Sequence, residues 1–177
     1  MRRILFLLPL TLSLIACGPS HPGTLTYRVL LSGSDVTGST IAEDVHVAPD
    51  DAQWRTFLTQ AQTALEKAPS HFAVTGVSIQ LDATRSRNVG ALQDVFVGNV
   101  TAFLRASDTG TQVDIAEVTD PKGSAQVKMA SLGTSLETLD PSLVRSDFRL
   151  GLRGGTQRSP GGDFDAALIV TLDVTAR

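Results

Sequence analysis

Apolar side chains fall at every second position through most of this chain, and that period restricts the fold more than any other feature. Leu25, Tyr27, Val29 and Leu31 alternate with Thr26, Arg28 and Leu30. Successive side chains of a strand point to opposite faces, so this stretch reads as a strand with one buried face. Glu43 to Ala48 reads as a short strand with Val45 and Val47 inward, stopped by Pro49. Phe72 and Val74 are in one phase and Val77, Ile79 and Leu81 in the other; a β-bulge at Gly76 accounts for the slip. Val95 to Leu104 is β-branched and aromatic, interrupted at Gly98-Asn99. The turn Asp120-Pro121-Lys122-Gly123 joins Val113 and Ile115 to Ala125, Val127 and Met129, which predicts a hairpin over residues 111–130. Phe148, Leu150 and Leu152 alternate, as do Phe164 through Val174, with the glycine-rich loop 154–162 between them. Paired across that loop, Arg153 would face Asp163.

One segment has the helical period instead. Trp54, Phe57, Leu58, Ala61, Ala64 and Leu65 form an i, i+3, i+4, i+7 stripe, with Asp50 or Asp51 placed to cap it and Pro69 to end it. This predicts a single amphipathic helix over residues 52–67. Residues 136–144, with Pro141 inside, read as a turn of helix or an irregular crossover. The run Ala166-Ala167-Leu168-Ile169-Val170 is apolar on both faces, so the last strand should be central and covered on both sides. A second sheet supplies one cover, and the helix is the candidate for the other. The expected architecture is mainly β, an antiparallel β-sandwich of about seven to nine strands with one packed helix.

The 177 residues suit one domain, and 42% hydrophobic content at a net charge of −3 is too apolar for a disordered chain. A single Cys rules out a disulfide framework and a Cys-based zinc site. The slightly acidic balance argues against a nucleic-acid partner.

The N-terminus carries the most specific signal. Met1-Arg2-Arg3 is followed by the apolar stretch Ile4 to Ile15 and then by Ala16-Cys17, so that the segment ends Leu14-Ile15-Ala16-Cys17. The stretch is shorter than the roughly 20 apolar residues a bilayer-spanning helix needs, and it fits the core of a secretory signal. Its end resembles the lipobox of bacterial lipoproteins, with the chain's one Cys where the motif requires it. The resemblance covers residues 1–17. It implies cleavage between Ala16 and Cys17, a diacylglyceryl group on the Cys17 thiol and acylation of the new amino group. Residues 1–16 are then a signal peptide, 17–23 the lipidated Cys and a short linker, and 24–177 a single β-sandwich domain. Gly18 stands where an Asp tends to retain such lipoproteins in the inner membrane, which favours the outer membrane. The remaining chain carries 13 basic and 18 acidic side chains, a net of −5. Membrane binding must therefore come from the acyl chains, each CH₂ contributing about 0.8 kcal/mol, and not from attraction to anionic lipid.

No catalytic motif is present: no Gly-x-Ser-x-Gly, no phosphate-cradling loop, no His-Glu-x-x-His. His21, His46 and His71 are far apart in sequence and read as solvated. Asp163 and Asp165 share a strand face, and with Asp82 or Asp147 they could hold Ca²⁺; solvated carboxylates beside Arg149 and Arg153 are the plainer reading. No metal or other cofactor is expected. The expected function is a lipid-anchored, non-enzymatic envelope protein, held to the membrane through acylated Cys17, that binds or supports another envelope component. The alternative is a small-ligand or lipid carrier with an apolar cavity beneath Trp54 and Phe57. A third possibility is an enzyme site on the loops 82–90 and 154–162.

Overall fold

The computed structural model describes residues 19–177. Ala16 and Cys17 lie outside the described residues. Nine strands form: β1 (His21–Ser32), β2 (Val36–Thr37), β3 (Thr40–Val47), β4 (Phe72–Leu81), β5 (Val97–Ala106), β6 (Gln112–Thr119), β7 (Val127–Ser131), β8 (Phe148–Gly155) and β9 (Asp165–Ala176). Two helices join them, α1 (Ala52–Leu65) and α2 (Asp140–Val144). Every ladder is antiparallel.

The strand order is β1-β9-β4-β7-β6-β5-β8-β3-β2. Apart from the two-residue β2, the pairing is nested: β1 with β9, β3 with β8, β4 with β7, β5 with β6. A long hairpin rolled up this way is a jelly roll, a sandwich of two four-stranded leaves. One leaf is β1-β9-β4-β7 and the other β6-β5-β8-β3. β7 joins them, with Val127 to Met129 on β4 and Ala130 and Ser131 on β6. At the opposite corner β1 comes close to β3 without a ladder between them.

The predicted mainly β sandwich is therefore present, but three local expectations change. β1 begins at His21, so His21, Pro22 and Gly23 are strand residues opposite Ala176, Thr175 and Val174 and not part of a linker. Pro22 is tolerated because β1 is an edge strand. β8 and β9 are not a hairpin: they lie in different leaves, and Arg153 pairs with Asp114 instead of Asp163. The region 136–144 holds the five-residue helix α2, the first of its two expected forms. Finally, α1 does not cover the outer face of β9.

That last difference has a clear cause. Asp51 caps α1 by accepting the Trp54 N–H at 2.8 Å, and the helix ends at Glu66, whose φ of 56° is left-handed. Its apolar stripe, Trp54, Phe57, Ala61 and Leu65, is buried. Trp54 enters the end of the sandwich between the leaves, edge-on to Phe148 at 4.8 Å and tilted against Phe72 at 5.7 Å. Its indole N–H donates to the Leu143 carbonyl of α2 at 2.8 Å. The helix thus plugs one pole of the roll. The segment after β4 is bonded to the backbone of β9 at Ala167: Asp82 N–H donates to the Ala167 carbonyl at 2.8 Å, and the Ala167 N–H donates to the Ser86 hydroxyl at 3.1 Å. The bulge expected at Gly76 is present in the β4–β9 ladder between Val74 and Gly76.

Candidate functional site

The strands place two poles at opposite ends of the roll. α1, α2 and the start of β1 occupy one. The loops 82–96, 120–126 and 156–164 gather at the other, where Leu92, Val95, Phe96 and Phe164 close the core. The two loops singled out in the sequence, 82–90 and 154–162, are tied to each other here. Arg87 and Asp165 exchange backbone hydrogen bonds at 2.7 and 3.0 Å, and the Arg87 Nε donates to Asp165 Oδ2 at 2.9 Å. A second guanidinium nitrogen pairs with Asp163. These bonds, that to Asp165 first, push the Arg87 pKa further up. The Asn88 amide donates to the Asp163 carbonyl at 2.9 Å, and Thr156 donates to the Val95 carbonyl at 2.6 Å.

Arg158 is the centre of this arrangement. Its guanidinium carbon lies 5.0 Å from the centroid of the Phe164 ring. Nη2 donates to the Asn88 carbonyl at 2.9 Å, and Nε donates to the Asp94 carbonyl. A planar cation held by stacking and by its own donors is pre-oriented.

Beside it opens a cleft of about 490 Å³ bordered by Gln93, Asp94, Val97, Asp120, Lys122 and Arg158. Its walls are cross-tied. Gln93 Oε1 accepts the Gly123 N–H at 2.7 Å; Asp120 Oδ1 accepts the Gly98 N–H at 2.6 Å; Asp94 Oδ2 accepts the N–H groups of Gly90 and Ala91, both at 2.9 Å. Asp120 and Asn88 hold left-handed backbone, with φ of 47° and 58°. Such conformations in non-glycine residues cost free energy and gather at binding sites. In sequence these two positions carry only the ordinary turn preference of Asp and Asn, and Lys122 looks like any turn lysine. Nothing local shows that loops 60 residues apart share a cleft.

The other candidates are dispersed. Asp163 and Asp165 face Arg87 instead of an open cation position, Asp82 pairs with Arg28, and Asp147 lies at the opposite pole. No group of three or more His, Cys, Asp or Glu residues with metal-binding spacing occurs among the described residues. His46 points outward as expected but has a partner, Asp147 at 2.9 Å, and His71 meets Asp140 at 2.8 Å. The His46 hydrogen bond, with help from Ser107, lowers the Asp147 pKa. Asp82 is lowered likewise, first by the Thr84 hydroxyl and then by Arg28 and Arg85. Tyr27, buried beside Asp51, has its hydroxyl pKa pushed up by desolvation and by that charge. The space bounded by Trp54, Phe72, Leu143, Phe148 and Leu172 is filled by their own side chains and leaves no room for a water molecule. No chamber lies beneath Trp54, and between α1 and β1 there is an open groove of about 410 Å³ bordered by Leu25, Gln53, Thr56, Phe57 and Gln60.

No protein-family model matches the chain, and no curated protein sequence matches it. Among solved structures, the chain is similar to that of Desmodium yellow mottle tymovirus, at 8% identity and a TM-score of 0.29 over 99% of this chain and 94% of that one. It is also similar to the virus-like particle of the giant freshwater prawn Macrobrachium rosenbergii extra small virus, at 14% identity and a TM-score of 0.21, over 99% of this chain and 89% of that one. Likeness at these scores says nothing about what this chain binds or does.

Proposed function

We propose that this protein is a lipid-anchored component of a bacterial envelope, acylated on Cys17 and sited in the outer membrane, that binds another envelope component and performs no chemistry of its own. The observation that carries the reading is Leu14-Ile15-Ala16-Cys17, with the chain's one Cys directly after an apolar stretch that follows two arginines. The start of strand pairing at His21 supports it with a geometric consequence. Only Gly18, Pro19 and Ser20 separate Cys17 from β1, at most roughly 14 Å of chain from Cys17 to His21. An anchor at Cys17 would hold the α1 pole against the bilayer. The loop pole and its cleft would then point away, about 40 Å distant along the 12 residues of β1. A cross-tied cleft facing away from the membrane suits a binding role.

The test is Cys17→Ser in cells labelled with palmitate. The native chain should fractionate with membranes and carry label. The variant should be soluble and unlabelled, with an unchanged circular dichroism spectrum. A Cys17→Ser chain that stays with the membrane and takes up label sinks the anchor.

A further inference from the structure

We infer that the cleft at the loop pole binds a small amphoteric ligand, one carrying both a carboxylate and an ammonium group, as a free amino acid or a short unblocked peptide does. The inference rests on reading the domain as a binding protein, and it names what the outward pole would hold.

The charges of the lining carry it. Two cations, Lys122 and Arg158, and two carboxylates, Asp94 and Asp120, border one cleft. Each carboxylate spends one oxygen on backbone N–H groups: Oδ2 of Asp94 on Gly90 and Ala91, Oδ1 of Asp120 on Gly98. The second oxygen of each has no hydrogen-bond donor among the described residues. Lys122 has no ion pair among them either, while Arg158 is fixed by Phe164, Asp94 and Asn88. A purely anionic ligand would meet Asp94 and Asp120, and a purely cationic one Lys122 and Arg158. A ligand with both charges can satisfy each sign, and opposite charges brought together on both sides set its orientation.

The size and stiffness of the cleft agree with this. Its 490 Å³ lies within the range of about 300–1,000 Å³ found for small-molecule sites. The Gln157 amide can donate or accept and the Gln93 amide, its oxygen engaged by Gly123, can donate, as a peptide group requires. Val97, 40% exposed, offers an apolar contact at the rim. The ties among the three loops mean that little ordering is left for binding to supply.

The experiment is isothermal titration of the full chain in detergent micelles with alanyl-alanine. The comparison ligands are N-acetyl-alanyl-alanine, which lacks the ammonium, alanyl-alaninamide, which lacks the carboxylate, and neutral N-acetylglucosamine. Alanyl-alanine should bind at least about ten-fold more tightly than any of the three. Lys122→Met, at an exposed turn position, should lower that affinity about ten-fold and leave the melting temperature unchanged. Equal affinity for a blocked dipeptide or for the sugar overturns the inference. So does an unaltered response in Lys122→Met, or no binding tighter than about 1 mM. This failure and that of the anchor are distinguishable, because palmitate labelling and fractionation of Cys17→Ser do not depend on the cleft.

Discussion

Single residues decide how each pole is closed. Trp54 is 1% exposed, stacks among Phe57, Phe72 and Phe148, and bonds the Leu143 carbonyl. Trp54→Ala removes that packing and leaves a cavity, so chemical denaturation should show a loss of about 3–5 kcal/mol. Trp54→Phe keeps most of the apolar contact and leaves the Leu143 carbonyl to the Ser146 N–H, at a cost of about 0.5–1.5 kcal/mol. If Trp54→Phe proves as stable as the native chain, the indole bond is unimportant. Asp147 belongs to this scale too. Its pKa is lower in the folded chain than its unfolded value of about 3.9. Between the two values the unfolded state binds more protons, so stability rises with pH there. The contribution is complete above the unfolded value and is lost as pH falls through the folded one. Melting temperatures measured from pH 6 downward should therefore fall less steeply below about pH 4 in Asp147→Asn. Parallel curves would count against the His46 contact.

At the scale of elements, the sheets are built by close approaches and guarded edges. The outer face of β3, β8 and β5 carries Asp44, Gly151 and Phe103 in one cross-strand row. A Cβ on Gly151 would lie 2.2 Å from Phe103 Cζ and 2.8 Å from Asp44 Cβ. Phe103 is buried between Gly151 on β8 and Asp114 on β6, in the same row as Asp44, which pairs with Arg105 and Arg149. Gly151→Ala should cost about 1–3 kcal/mol by overpacking. Combining it with Phe103→Leu should recover part of that loss, a non-additivity that urea titrations of the four chains would read. Additive effects would mean the ring does not limit the strand spacing. On the edge of β1, Gln53 of α1 both accepts from the Thr26 N–H at 3.2 Å and donates to its carbonyl at 2.9 Å. A side-chain amide thus takes the place of a neighbouring strand and blunts an exposed edge.

The whole molecule is a roll with a packed plug at one end and a cross-tied, cleft-bearing loop cluster at the other. Because Arg158 bridges the loops without entering the ladders, Arg158→Met should loosen that pole while leaving the strands intact. Amide hydrogen exchange should quicken around residues 86–96 and 156–164 and stay unchanged in β4, β8 and β9. Uniform acceleration across the sheets would instead make Arg158 a contributor to global stability.

Much of this was legible from residue order. Alternation at Leu25 to Leu31 and at Phe164 to Val174 marks the strands, the stripe from Trp54 marks the helix, and the phase slip at Gly76 marks the bulge. These signals are local, set by side-chain direction along one element, so they survive without knowledge of neighbours. The burial of Ala167 was also readable, but Ile169, expected to be covered with it, is only half-buried, because α1 plugs the pole instead of lying over β9. Nor was the partner of β8, because a glycine-rich connection of suitable length serves a hairpin and a crossover between leaves equally well. The proposed lipidation at Cys17 rests on sequence alone, on the residue types of Leu14-Ile15-Ala16-Cys17. The cleft belongs to tertiary structure alone. Lys122, Asp94 and Arg158 become neighbours only when nested pairing carries three distant loops to one pole, and no local pattern encodes a juxtaposition made by strand order.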